Sequence, residues 1–111
     1  MNGRLKKRLF DALIACEAIG EFVQNRDIAA YRSDKMLRSA VERQFEIIGE
    51  ALAQAANVDP ALPDRFPELR RIVALRNRLI HGYDSVDDEI VWDIVQFKLS
   101  VLKKLLSDFL A

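Results

Sequence analysis

The chain has 111 residues, half of them apolar and 31% charged, with 4 glycines and 3 prolines. That length supports one hydrophobic core and not two, and the composition is that of a folded, mostly helical protein, so residues 1 to 111 are expected to form a single domain. Lys and Arg total 17 and balance 17 Asp and Glu, which excludes the overall positive field of an indiscriminate nucleic-acid binder and leaves only local contacts.

The single Cys16 has no internal disulfide partner. Its spacing to Leu9, Ala12, Ile19 and Val23 puts it on an apolar helix face, as expected of a core residue in a reducing compartment. No charged start leads into a continuous apolar stretch, so neither a signal peptide nor a membrane span is expected, and the expected location is cytoplasmic.

Leu5, Leu9, Ala12, Cys16, Ile19 and Val23 alternate in steps of four and three, which predicts an amphipathic helix over residues 4 to 24. Periodicity is weak from 25 to 32. Ser33 and Asp34 then provide an N-cap for a second helix, whose apolar positions Leu37, Ala40, Val41, Ile47, Ile48, Ala51, Leu52 and Ala55 keep helical spacing to about residue 57. Gly49 interrupts this helix at a cost of about 1 kcal/mol relative to alanine. It reads either as a point of close approach by another group or as a tolerated surface glycine.

Pro60, Pro63 and Pro67 mark residues 57 to 67 as a loop, and Pro67 suits the first position of a third helix. Ile72, Leu75 and Leu79 form that helix's stripe, and Gly82 stands where a helix commonly turns left-handed to stop. Ser85 and Asp88 form an approximate capping box, so a fourth helix is expected from about Val86. Trp92, Val95, Leu99, Leu102, Leu106 and Phe109 make one of its apolar stripes. Val91, Ile94, Val101 and Leu105 make a second, which suits either a wide core face or a partner subunit.

The chemistry concentrates at the end of the third helix. His81 is the only histidine, and its pKa range suits proton transfer near neutrality. Arg76 precedes it by five residues, about 140° around an ideal helix, so the two do not share a face. They converge only if the helix opens before His81, which Gly82 would allow, or if a second subunit contributes. Asn77 lies on the face of His81, placed to orient the ring, and Tyr83 follows by two. Arg65, Arg70, Arg71, Arg76 and Arg78 face only Glu68 as counter-charge. Their planar forks match phosphate oxygens, with Arg70 and Arg71 as candidate phosphate contacts and Arg78 in support. Asp84, Asp87, Asp88, Glu89 and Asp93 fit a structural role at the start of the fourth helix, where the macrodipole favours acidic groups. With arginine this frequent, an Arg five places before the only His arises by chance in about one such sequence in ten, so spacing alone defines no site.

Arg76-Asn77-Arg78-Leu79-Ile80-His81-Gly82-Tyr83 resembles the Arg-x4-His-x-Tyr signature of the HepT family, toxin ribonucleases of the HEPN superfamily. Ala40-Val41-Glu42-Arg43-Gln44-Phe45-Glu46-Ile47-Ile48-Gly49-Glu50-Ala51 resembles that family's second-helix segment, and Ile90-Val91-Trp92-Asp93-Ile94-Val95 its fourth. Phe66-Pro67-Glu68-Leu69 departs from the Ile-Pro-Trp often found before the third helix, a change that touches the loop more than the site.

The resemblance implies an all-α, up-and-down four-helix bundle that pairs as a homodimer, bringing two Arg-x4-His motifs to one cleft. It implies a metal-independent endoribonuclease, the toxin of a type VII-like toxin–antitoxin system, with no cofactor. In it Arg76 and His81 are catalytic, Asn77 orients the histidine, and Glu50 stands near the site or on an ordinary helix surface. The implied partners are RNA, a second copy, and an MNT-type nucleotidyltransferase antitoxin that adds AMP to Tyr83. The alternative is a HEPN-type module that binds nucleotide or RNA, or docks the nucleotidyltransferase, without cutting.

Overall fold

The computed structural model describes residues 2–82 and 86–111. Among them the chain is all-helical, with helices α1 (Gly3–Phe22), α2 (Ile28–Ser33), α3 (Lys35–Val58), α4 (Leu62–Arg65), α5 (Leu69–Ile80), α6 (Asp88–Phe97) and α7 (Leu99–Leu110). None of these helices is long and apolar enough to cross a membrane.

Local chemistry sets the boundaries. The Asn2 side chain caps α1 by accepting from Arg4 N at 2.8 Å, and Asn25, at φ 62°, takes the left-handed conformation just beyond the helix's end. Asparagine tolerates that conformation better than most residues. Asp27 caps α2 through Ala30 N at 2.8 Å, so the weakly periodic stretch holds a short helix. Asp34 caps α3 as expected, accepting from Leu37 N at 3.0 Å. That hydrogen bond, and after it the charge of Arg26, holds the Asp34 carboxyl below the usual range.

Four boundaries differ from expectation. The proline-rich connection contains α4, with a proline in its first turn. Pro67 lies in the turn before α5 rather than at its first position, and the helix starts at Leu69. The fourth stretch starts at Asp88, its N-cap Asp87 accepting from Glu89 N at 2.8 Å, while the proposed cap Ser85 lies outside the described residues. That stretch is broken at Lys98 into α6 and α7.

The core is one cluster drawn from every helix, with Leu9, Ala12, Ile19, Phe45, Ile48, Leu52, Ile72, Ile94 and Leu106 at 0% exposure. Helix α3 is its centre, packing along α1 on one side and α5 on the other, while α7 closes against α1. Cys16 is buried in this cluster, and burial pushes its thiol up to about 12. Tyr31, also fully buried, packs on Trp92 with ring centroids 5.2 Å apart and ties α2 to α6. The second stripe of the fourth stretch divides: Val91 and Ile94 are buried in the chain's own core, and Val101 stands half exposed. A wide core face therefore accounts for the first two.

Candidate active site

Helix α5 presents two different faces. Ile72, Leu75 and Leu79 turn toward the core, and Arg70, Ala74, Asn77 and Arg78 are exposed, followed by His81 at the C-cap. Arg70 and His81, eleven residues apart, fall within about 20° of each other around an ideal helix, so one solvent strip joins them. Arg76 belongs to neither face. It sits on the flank turned to α3, with 26% of its side chain exposed.

Gly49 explains how a long cation reaches that flank. A Cβ at this position would overlap the Arg76 Cβ and lie 2.8 Å from its Cγ and 3.2 Å from the Ile72 carbonyl oxygen. The close-approach reading of Gly49 is the correct one. The glycine seats the stem of Arg76 in the seam between the two helices, and the next residue, Glu50, receives its guanidinium in an ion pair through Nη2.

The other terminal nitrogen, Nη1, donates to Asn77 Oδ1 at 2.8 Å. Among the described residues Arg76 Nε is buried and has no hydrogen-bond partner, so an incoming phosphate can meet the guanidinium only along the edge defined by Nη1 and Nη2. Glu50 is itself held. Gln54, one turn on, donates to Glu50 Oε1 at 2.8 Å, and this bond, followed by the charge of Arg76, holds the Glu50 carboxyl below the ordinary range.

Sequence reasoning named Glu50 and missed Gln54. The available signal was the i, i+4 spacing of a carboxylate and an amide donor on one helix.

Of the two ways for Arg76 and His81 to converge, an opening of α5 and a second subunit, the first does not occur. The helix stays regular through Ile80, and the His81 N–H donates to the Asn77 carbonyl at 3.1 Å. Gly82 does not adopt positive φ. Its lack of a side chain matters for a different reason: a Cβ there would come within 3.0 Å of the Leu79 carbonyl oxygen. The Asn77 carboxamide meets Arg76 rather than the His81 ring, which forms no hydrogen bond among the described residues. Tyr83 lies outside those residues.

The basic group is also dispersed. Arg65 lies over the Phe109 ring, 5.9 Å from its centroid, and Arg71 pairs with Asp93 at 3.4 Å across to α6. Glu89 pairs with Arg32 at 2.6 Å, so much of the acidic block caps or ties α6, as its structural reading required. Arg70 and Arg78 remain on the exposed side of α5, beside Asn77 and His81. Among the described residues no group of three or more His, Cys, Asp or Glu is arranged to hold a metal ion.

The chain is thus an all-α protein whose arginine-bearing α5 ends in an exposed histidine, with one arginine clamped in the seam behind it. It belongs to the Ribonuclease HepT-like family, whose profile matches residues 12–109. It is 34% identical over 102 residues to Putative RNase MJ1380 of Methanocaldococcus jannaschii, covering 90% of this chain and 91% of that protein. It is 35% identical over 98 residues to Probable ribonuclease HepT of Thermococcus cleftensis, covering 88% of each. A third relative, Putative RNase TTE0752 of Caldanaerobacter subterraneus, is 30% identical over 101 residues, covering 86% of this chain and 84% of that protein. No solved structure matches the chain.

Proposed function

We propose that this protein is a metal-independent endoribonuclease whose active site is assembled from two copies of the end of α5. The observation that carries the reading is the contrast within the motif: Arg76 is held by one hydrogen bond at each terminal nitrogen, which leaves a second N–H on each for a phosphate, while His81 stands exposed at the helix end and on a different face. Family membership and the names of its relatives support RNA as the substrate.

In this reaction the 2′-oxygen attacks the adjacent phosphorus and its proton passes to a base. The P–O5′ bond breaks, and the leaving oxygen takes a proton from an acid on the opposite side. One histidine per chain cannot occupy both sides of a phosphate, whereas two chains related by a twofold axis supply one to each. Arg76 would neutralise the charge that builds on the equatorial oxygens.

In this reading α1, α3, α5 and the broken α6–α7 stretch are the four members of an up-and-down bundle. The second copy would sit against the groove of about 490 Å³ that Ile14, Ile47 and Ile80 share with Arg8, Asp11 and Glu46. Half of Ile14 and of Ile80 is exposed there, and its mixed charges suit the same surface of a twofold mate. The protein would act as a toxin, neutralised by a nucleotidyltransferase that adds AMP to Tyr83. An anionic adduct two residues beyond His81 would compete for Arg76 and cancel its charge.

The test is cleavage of RNA by the purified protein in a chelator. Wild type cuts, and His81→Ala does not, with its thermal melting unchanged. A His81→Ala protein that cuts at the wild-type rate overturns the proposal. RNA binding by a wild type that never cuts would favour the non-catalytic reading.

A further inference from the structure

Four polar side chains from two helices run in series from the C-terminal part of α3 to the exposed face of α5. Gln54 donates to Glu50 Oε1 at 2.8 Å, Glu50 Oε2 accepts from Arg76 Nη2, and Arg76 Nη1 donates to Asn77 Oδ1 at 2.8 Å. Gln54 is the one member with no bond to the arginine itself.

Its effect follows from the freedom of the groups between. Arg76 Nε has no acceptor, so among the described residues only Glu50 and Asn77 set the plane of the guanidinium. The Glu50 side chain is 43% exposed, and an exposed carboxylate anchored at one oxygen can rotate about its terminal bonds and swing toward water. Gln54 takes the second oxygen. A carboxylate held at both oxygens has one orientation to offer Arg76, and the order is established before substrate arrives.

We propose that Gln54 is a positioning residue, fixing the Glu50 carboxylate so that Arg76 presents its Nη edge toward the His81 end of α5. This rests on the ribonuclease reading above. The hydrogen bond from Gln54 is also the largest influence lowering the Glu50 pKa, ahead of Arg76, and Arg8 of α1 adds to it. The carboxylate thus stays charged as a clamp requires.

The test pairs Gln54→Leu with Glu50→Gln and their double variant. Leucine keeps the size and helix propensity of glutamine, and equal melting temperatures exclude misfolding. The expected result for Gln54→Leu is a kcat about three- to tenfold lower with KM within about twofold, since the loss falls on transition-state alignment rather than on binding. Glu50→Gln lowers kcat at least as far, and the double variant is no worse than Glu50→Gln alone. Losses that multiply, or a Gln54→Leu protein of full activity, overturn the role.

A second readout needs no cleavage. Exchange of the Arg76 Nε proton, followed by ¹⁵N NMR, is slow in wild type and several-fold faster in Gln54→Leu. Unchanged exchange overturns the proposal. A wild type that cuts no RNA but shows the faster exchange in the variant sinks the ribonuclease reading and leaves Gln54 as the residue that orients Arg76.

Discussion

The two ends of the Arg-x4-His motif live in different environments although five residues separate them. Arg76 lies in a packed seam, its stem against a glycine and its guanidinium held by a carboxylate and a carboxamide. His81 stands at the helix end with its ring free of hydrogen bonds among the described residues. One end is ordered before any ligand arrives, which lowers the entropic cost of using it, whereas in the proposed ribonuclease the other would be ordered by RNA or by a second copy. Substitutions that disturb the packed seam itself should therefore alter fold and activity together, and those at the second end activity alone.

The largest expected effect is at Gly49. Alanine would gain about 1 kcal/mol in helix propensity, but its Cβ would overlap the Arg76 Cβ and press on the Ile72 carbonyl, and neither is the far end of a flexible chain. Overpacking of this kind costs about 1–3 kcal/mol. Gly49→Ala is expected to lower the melting temperature and, by pushing Arg76 from its seat, to reduce cleavage by about a hundredfold. A stable and fully active variant would break the comparison, since Arg76 would then not depend on the seam.

How far the amino-acid sequence reveals this arrangement depends on the range of the interaction. Asp34 as a cap and Leu9, Cys16, Leu52 and Ile72 as core follow from local chemistry and a 3.6-residue period, and the structure agrees. The different faces of Arg76 and His81 were legible from helix geometry alone. Gly49 left two readings open because its reason is Arg76, 27 positions away and on another helix. The break at Lys98 has no proline or glycine to announce it, and nothing among the described residues explains it, since the Lys98 N–H still reaches the Ile94 carbonyl at 3.0 Å. Pro67 suits a first helical position by its chemistry, yet the helix begins two residues later. The tertiary ties of Arg65 to Phe109 and of Arg71 to Asp93 are likewise invisible to composition, which saw only a cluster of arginines.

The exposed end gives the next effect. Arg70 and Arg78 share the solvent side of α5 with His81, and Arg71 is tied to Asp93. Arg70→Ala and Arg78→Ala are each expected to weaken RNA binding several-fold and to reduce the slope of log K against log salt by about 0.7, the value for one contact to a single-stranded backbone. Both should leave stability within about 0.5 kcal/mol of wild type. Titrations at three salt concentrations measure the slope, and a loss of affinity with unchanged slope would remove the phosphate role. A fall in melting temperature would show that this face is packed after all.

The smallest effect is at Glu42, which lines a polar hollow with Arg38, Asp88 and Gly82, next to His81. Burial, and then the charge of Asp88, raise the Glu42 carboxyl above its ordinary pKa, with Arg38 offsetting them in part. The folded protein therefore binds this proton more tightly than the unfolded chain. The charged form opposes folding at neutral pH, and that penalty disappears as pH falls below the usual glutamate range, where both states are protonated. Glu42→Gln should accordingly stabilise the protein at pH 7 by roughly the few tenths of a kcal/mol typical of surface changes, and raise its melting temperature to match. The gain should shrink to nothing in acid, a pattern that melts between pH 3 and 8 would reveal. RNA cleavage should not change, because among the described residues no side chain of that hollow bonds the His81 ring. A change in rate would mean that the free end of the motif is held from behind as well, and the two ends would then differ less than their surroundings suggest.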